Sequence, residues 1–360
     1  MHTLIFIPIG LILIVFGAYL FTNGIEWLGR RLHIQEGAVG SLFAALGTAL
    51  PETSVPVIAI LFGRGQAADE VGIGAIIGAP FLLATLGFLV VAVAALIYRR
   101  HSAPDGLLVQ PLVLQRDLSY FLASYSLALA AGVVPARDYR VAIASLLVVI
   151  YVAFVVQTLY FTPSESQQEE ISKPLMFARN KDHPMLGHIV LQIMLALALV
   201  VAGAKGLVIA VQSLSTLWGV SAFLLSVVII PMATELPETF NSVVWIKQHK
   251  DTLAVGNITG AMVLQSTLVP ALGILFTPWK LDAVALCTGM LALAAAMTVY
   301  IRFNGDLRLR PGTGLIAGAM YIGLPIWLLC AGTVKWQFGL LGMIVALLLI
   351  VTYNCTRRSV

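Results

Sequence analysis

Charge is scarce in this sequence. Of its 360 residues, 11% are charged and 59% are hydrophobic, and the mean hydropathy is +0.96. A soluble domain carries about a quarter charged residues, so the composition excludes an ordinary globular protein. Apolar runs of about 20 residues recur along the chain, and each is long enough to cross a bilayer as a helix. The sequence therefore predicts an all-α integral membrane protein, because lipid offers no partner to unpaired backbone groups.

Cysteine and histidine are also sparse. The three cysteines lie in or beside apolar segments without metal-ligand spacing, which argues against a disulfide framework and a zinc site. The six histidines form no cluster. The net charge of +4 is spread over short loops, so we expect no nucleic-acid partner. The sequence also shows no Ser/His, His-cluster or paired-Asp arrangement of an intramembrane hydrolase. We therefore expect neither an enzyme nor a cofactor.

Eleven membrane helices are predicted from the apolar runs between charged or Gly/Pro-rich breaks. Their approximate bounds are 4–22, 37–62, 70–98, 118–134, 139–160, 186–211, 220–246, 251–276, 281–301, 312–332 and 336–354. The first lacks the basic leader and the cleavage site of a signal peptide, so we expect it to be retained. If the N-terminus is outside, 15 basic loop residues, Arg116 among them, face inward and 5 face outward. This asymmetry predicts an outside N-terminus and a cytoplasmic C-terminus.

The sequence also repeats itself. Moving the second half back by 186 residues aligns residues 47–53, GTALPET, with residues 233–239, ATELPET, and an offset of 182 aligns the glycine-rich segments that follow. Each copy contains five predicted helices, and an odd number makes the two copies cross the membrane in opposite directions. The predicted organisation is a first five-helix repeat (1–161), a cytoplasmic linker (162–185), an inverted second five-helix repeat (186–332), and an additional C-terminal membrane helix with a tail (333–360). We expect the linker to be a solvated tether, and the alternative is a regulatory ion site.

Each copy places a proline and a glutamate inside an apolar run, as Pro51-Glu52 and Pro237-Glu238. The proline lacks a backbone donor, which breaks the helix and releases a carbonyl group. A carboxylate inside a membrane is costly unless it is paired, protonated or bound to an ion, so intramembrane acids are functional candidates. The alternative is that the prolines only kink the helices and that the glutamates are protonated spacers.

Polar neighbours extend this pair to an all-oxygen site, the kind that Ca²⁺ and Na⁺ prefer. Thr48 and Thr234 occupy matching positions in the two copies. Glu235 adds a carboxylate where the first copy has Ala49. Asn257, beside a glycine of the second copy, can offer its amide oxygen. The candidate ligands are therefore Glu52, Glu238, Thr48, Thr234, Glu235 and Asn257.

These segments resemble the two α-repeats of the cation/Ca²⁺ exchanger superfamily, which carry Gly-Thr-Ser-Leu-Pro-Glu and then Gly-Asn-x-x-Gly-Ser-Asn. The first arms here read GTALPE at 47–52 and ATELPE at 233–238. The second arms depart from the pattern, with GAIIGAP at 74–80 and GNITGAM at 256–262. The resemblance implies that Glu52 and Glu238 bind Ca²⁺ and the counter-ion in turn, with oxygens from Thr48 and Thr234.

The resemblance implies a secondary antiporter of a bacterial inner membrane that exports Ca²⁺, or a similar divalent cation, in exchange for Na⁺ or H⁺ by alternating access. Proton coupling is compatible with the site because a carboxyl group in a low-dielectric environment has a raised pKa. Its partners would be inorganic cations and the lipid bilayer, with no obligate protein partner. The alternatives are an exchanger of another cation such as Mn²⁺, and a sensor or scaffold that keeps the fold without transporting.

Overall fold

The computed structural model describes residues 5–31, 50–63, 65–99, 105–161, 174–178, 184–303 and 307–324. Helices dominate these residues. They are α1 Phe6–Arg31, α2 Leu50–Phe62, α3 Gln66–Leu82, α4 Phe88–Tyr98, α5 Pro111–Ala131, α6 Arg137–Phe161, α7 Leu186–Trp218, α8 Ala222–Thr234, α9 Leu236–Lys247, α10 Asp251–Ser266, α11 Leu268–Phe276, α12 Ala283–Phe303 and α13 Pro311–Ala319. Two strands, β1 Leu107–Leu108 and β2 Arg308–Leu309, form an antiparallel pair.

The described helices occupy the segments that the apolar runs predict. Six helical segments of the described residues are long and apolar enough to span a membrane, or seven if a bent pair counts as one span. Several bounds differ from the prediction by seven residues or more. α1 continues to Arg31, nine residues past the predicted end at 22; α7 continues to Trp218; and α5 begins at Pro111, seven residues before the predicted start at 118. The predicted helix at 336–354 and the candidate ligand Thr48 lie outside the described residues.

The chain divides into two compact units. The first comprises Met1–Ala75 and Tyr160–Pro237, and the second comprises Ile76–Leu159 and Glu238–Val360. Each unit combines a part of the first sequence repeat with a part of the second. The predicted segments 1–161, 162–185, 186–332 and 333–360 thus describe the repeat in the sequence, and they remain predictions about its organisation.

In the first unit, α1 lies against α7 in close backbone contact. Gly10 and Gly17 face α7 two turns apart, and a Cβ atom on either would lie only 2.8 Å from α7, at the carbonyl oxygen of Gly203 or at Cγ2 of Val200. Only glycine permits this approach, because small residues are what allow two apolar helices to pack backbone to backbone.

Part of the predicted linker is docked on these two helices. Leu175 is fully buried in an apolar cluster with Ile189. The next two backbone N–H groups, of Met176 and Phe177, donate to Oδ1 of Asn23 (3.3 Å) and to Oε1 of Gln192 (3.1 Å). The Gln192 amide nitrogen in turn donates to Asn23 Oδ1 at 2.9 Å. The expectation of a solvated tether is therefore wrong for residues 174–178, since a buried leucine and paired backbone groups fasten them to α1 and α7.

In the second unit, an ion pair joins the end of α4 to the start of α10. Arg99 Nη2 lies 3.1 Å from Asp251 Oδ2, and both side chains are buried. The same carboxylate oxygen accepts the N–H of Leu108 at 3.1 Å, which ties β1 to α10. β1 pairs in turn with β2, with Leu107 opposite Leu309. These connections therefore lie together at one end of the helices of this unit.

The repeat has a local counterpart in the structure. Thr85 and Thr267, which the 182-residue offset aligns, both lie where an α-helix is interrupted. Thr85 sits in a π-helical turn, Leu83–Gly87, and Thr267 separates α10 from α11. Each hydroxyl donates to the carbonyl four residues earlier, at 2.5 Å and 2.6 Å respectively. Interruptions of this kind are frequent at functional sites of membrane helices.

Candidate cation-binding site

The Leu-Pro-Glu-Thr segment of the second copy lies at a helix break. α8 ends at Thr234 and α9 begins at Leu236, so the helix is interrupted at Glu235. Pro237 explains the break, because it has no N–H to donate to the carbonyl four residues earlier. The predicted break is thus confirmed for this copy. In the first copy α2 is described from Leu50, so the residues that would precede a break lie outside the described part.

Two buried carboxylates meet in the first unit. Glu52, on α2, is 5% exposed and Glu235, at the end of α8, is 0% exposed. Each offers a carboxyl oxygen, and these two oxygens lie within 4.8 Å of each other. Ca²⁺ binds oxygen ligands at about 2.3–2.6 Å, so two oxygens at this separation can ligate one ion. Glu235, which the sequence adds to the motif of the second copy, is therefore the partner of Glu52 in this unit.

Glu238 lies in the first turn of α9, in the second unit, and is 2% exposed. Among the described residues, neither of its carboxyl oxygens has a hydrogen-bond partner. Buried polar groups are almost always hydrogen-bonded, and a buried carboxyl group without a partner is costly. A cation or a proton would supply the interaction that the surrounding side chains do not.

The backbone of Glu238 is held firmly. Its carbonyl oxygen accepts hydrogen bonds from Ser242 Oγ and from Asn257 Nδ2, both at 3.0 Å. Ser242 Oγ also lies 2.9 Å from the carbonyl oxygen of Ala254 on α10. Because the amide nitrogen of Asn257 is occupied by α9, its amide oxygen is the end available to an ion. The structure therefore places Asn257 beside Glu238, as a residue that can both orient the helix break and offer a ligand.

Thr234 is buried at the end of α8, next to Glu235. Its hydroxyl donates to the carbonyl oxygen of Ile230 at 3.1 Å. A hydroxyl group has one proton and two lone pairs, so this bond leaves the oxygen able to accept or to ligate. Thr234 can therefore still act as a cation ligand. The ligand role of Thr48 stays a prediction.

The sequence alone does not point to the polar side chains that hold α10. Thr259 donates to Asp117 Oδ2 at 2.7 Å, and Arg116 Nε donates to Asp117 Oδ1 at 2.9 Å. The predicted helix start at 118 assigned Arg116 to a loop, whereas Arg116 and Asp117 both lie inside α5, with side chains only 7% and 2% exposed. A usable signal was Pro111, because proline is favoured in the first turn of a helix.

Buried carboxylates beside a broken helix are the features of a membrane protein that binds ions. Comparison with known proteins agrees with this class. The chain belongs to the sodium/calcium exchanger protein family, whose sequence profile matches residues 2–160 and 188–330. The resemblance drawn from the repeated motif is therefore confirmed, and the chain is an integral membrane protein.

Individual relatives match nearly the whole chain. The candidate antiporter CaxA of Alkalimonas amylolytica is 27% identical over 334 residues, which are 89% of this chain and 96% of that protein. Inner membrane protein YrbG of Escherichia coli K12 is 24% identical over 330 residues, 89% of this chain and 94% of that one.

Solved structures of two exchangers share the fold. The H⁺/Ca²⁺ exchanger CAX superposes with a TM-score of 0.69 at 15% identity, covering 99% of this chain and 88% of its own. The sodium-calcium exchanger NCX_Mj superposes with a TM-score of 0.54 at 18% identity, covering 92% of this chain and 98% of its own. At these identities the likeness establishes the exchanger fold.

Proposed function

We propose that the protein is a secondary antiporter that exports Ca²⁺, or a similar divalent cation, in exchange for Na⁺ or H⁺ by alternating access. The observation that carries the proposal is Glu238, a buried acid with no hydrogen-bond partner for either carboxyl oxygen among the described residues. Such a group inside a membrane protein needs a cation or a proton. In an antiporter either of the two exchanged ions can neutralise such an acid, and the two ions compete for it.

The proposed ligands are all oxygen atoms. Glu52 and Glu235 contribute carboxylates that approach within 4.8 Å, and Glu238, three residues after Glu235 across the α8–α9 break, supplies a third. Thr234 and Thr48 add hydroxyl oxygens and Asn257 an amide oxygen. Hard cations such as Ca²⁺, Mn²⁺ and Na⁺ favour ligands of this kind. In this proposal the protein changes its access from one side of the membrane to the other only when the site holds an ion, because the carboxylates of an empty site repel one another.

Open space beside Gly260, three residues after Asn257 on α10, supports ion access. A Cβ atom at Gly260 would meet no heavy atom of the described residues within 4 Å, whereas one at Gly256, a turn earlier, would lie 3.3 Å from Val113 Cγ1. Gly260 therefore does not serve close helix packing among the described residues. We propose that the space beside Gly260 borders the route of the ion.

The proposed location is a bacterial inner membrane, with the N-terminus outside and the C-terminus in the cytoplasm. The basic residues support this orientation: of the 15 counted on the inward side, Arg116 lies inside α5, and the other 14 still outnumber the 5 on the outward side. The proposal places the connections around Arg99, β1 and β2 on the cytoplasmic side. The name of YrbG, an inner membrane protein, supports the choice of membrane.

The test is Ca²⁺ flux into proteoliposomes that contain the purified protein, under a Na⁺ gradient and a pH gradient imposed separately. We expect one gradient to drive Ca²⁺ against its own gradient, and Glu52→Gln or Glu238→Gln to abolish the flux. Glu70→Gln is the control, since Glu70 accepts a surface hydrogen bond from Gln66 on α3. Repeating the assay with Mn²⁺ identifies the preferred divalent cation.

Two outcomes would contradict the proposal. If neither gradient moves Ca²⁺ or Mn²⁺, and the glutamine variants match the wild type, the protein is not this antiporter. If in addition Ca²⁺, Mn²⁺ and Na⁺ leave its melting temperature unchanged, the site binds none of them, which favours a non-transporting sensor or scaffold.

A further inference from the structure

α10 carries Asn257 and is held on two opposite faces. On one face, α10 contacts α9: Asn257 donates to the carbonyl of Glu238, and the carbonyl of Ala254 accepts from Ser242 Oγ. Thr259 follows Asn257 by two residues, which turns its side chain by about 200° around the helix axis at 3.6 residues per turn. It therefore contacts a different helix, α5, through Asp117.

Asp117 is a buried charge that the proposed ion site does not use. It is 2% exposed, and Thr259 is 0% exposed. One carboxylate oxygen pairs with Arg116, at 2.8 Å from Nη2, and the other accepts the Thr259 hydroxyl at 2.7 Å. Hydrogen bonds to an ionised acceptor are shorter and about twice as strong as neutral ones. Because burying an ion pair is costly, its presence against α10 points to a role in geometry.

We propose that Asp117 and Thr259 are positioning residues for the ion site. Their contact sets the rotation and height of α10, and thereby keeps Asn257 on the Glu238 carbonyl with its amide oxygen presented to the ion. The inference rests on the proposed cation binding. It assigns no ligand role to Asp117, whose two oxygens are already engaged.

The test compares three variants with the wild type. Thr259→Val removes the hydroxyl and nearly keeps the volume, and Thr259→Ser restores the hydroxyl. Thr288→Val is the matched control, because Thr288 is equally buried but its hydroxyl bonds the carbonyl of Val284 in its own helix. The readouts are the Ca²⁺ concentration that gives half-maximal flux, and the Ca²⁺ concentration that gives half-maximal thermal stabilisation in detergent.

For Thr259→Val we expect both half-saturating Ca²⁺ concentrations to rise about tenfold, which corresponds to about 1.4 kcal/mol. This is close to the lower end of what a hydrogen bond to a charged group contributes. Thr259→Ser and Thr288→Val should stay within about twofold of the wild type.

The results separate this inference from the proposed function. If the wild type responds to Ca²⁺ and Thr259→Val lowers only the melting temperature, the contact is structural and the positioning role is refuted. The same follows if Thr259→Ser behaves like Thr259→Val. If the wild type shows neither flux nor stabilisation with any tested cation, the proposed function fails, and the positioning role fails with it.

Discussion

Replacing Glu238 by glutamine tests the ion site without depending on transport. Glu238→Gln keeps the shape of the side chain and removes its charge. In the structure neither carboxyl oxygen has a hydrogen-bond partner among the described residues, so the substitution breaks no side-chain bond. The backbone contacts of Glu238 with Ser242 and Asn257 do not involve the substituted atoms. We therefore expect the fold to persist while cation binding is lost.

The magnitudes follow from these contacts. In cation-free buffer the free energy of unfolding should change by no more than about 1 kcal/mol, because the desolvation of a neutral amide resembles that of a protonated acid. A ligand at 100 times its dissociation constant stabilises the folded state by about 2.7 kcal/mol. The wild type should gain this amount from saturating Ca²⁺, and Glu238→Gln should gain close to none at the same concentration.

Thermal unfolding of the purified protein in detergent, titrated with Ca²⁺, measures both quantities. Glu70→Gln should follow the wild-type titration, because Glu70 hydrogen-bonds at the surface of α3. Two results would refute the reasoning. A Glu238→Gln titration that overlays the wild type would show that this acid does not bind the cation. A large loss of stability without cation would show that Glu238 has a structural partner.

Two further predictions concern stability. Gly260→Ala should raise the free energy of unfolding by about 0.5–1 kcal/mol, because alanine favours helix and its Cβ would meet no atom of the described residues. Gly289→Ala should lower it by about 1–3 kcal/mol, because its Cβ would lie 2.5 Å from Leu129 Cδ2. Thermal unfolding of both variants measures these changes, and a destabilised Gly260→Ala would contradict the open space beside Gly260. Gln192→Leu should lower the free energy of unfolding by about 2 kcal/mol, since it removes three hydrogen bonds of a buried side-chain amide. The exposed Gln248→Leu is the control and should change stability little. Equal melting temperatures of the two variants would show that the linker contact is not stabilising.

Much of the helical framework could be predicted from the sequence because its causes are local. A run of about 20 apolar residues has to form a helix in lipid, whatever lies beside it. The break between α8 and α9 follows in the same way from one residue, Pro237, which removes a donor from the backbone ladder. The glutamates were identified because a carboxylate in such a run is costly wherever the chain folds.

The partners of these residues could not be predicted, because they come from distant segments. The repeat suggested an equivalent pair, Glu52 and Glu238, and that pairing remains a prediction. The structure brings Glu52 to Glu235, which the sequence also offered as a ligand, but the spacing of the two residues did not predict their contact. Asp117 shows a similar limit. Asp117 follows Arg116, and two adjacent charged residues are typical of a loop. Only the contact of Asp117 with Thr259, 142 positions away in the sequence, explains its burial. The burial of Leu175 could not be predicted either, because the sequence around it shows no periodic pattern of apolar residues.

The two copies of the repeat contribute unequally to the proposed site. At the position of Glu235 the first copy has Ala49, and at the position of Asn257 it has Ala75. The second copy therefore holds two of the three carboxylates and the amide that fastens the helix break. Asn257 holds α10 on α9 within this copy, whereas Thr259 ties α10 to Asp117 of the first copy. In the proposed site the first copy supplies one carboxylate, Glu52, and the hydroxyl of Thr48, so symmetry in the sequence does not imply equal roles at the ion.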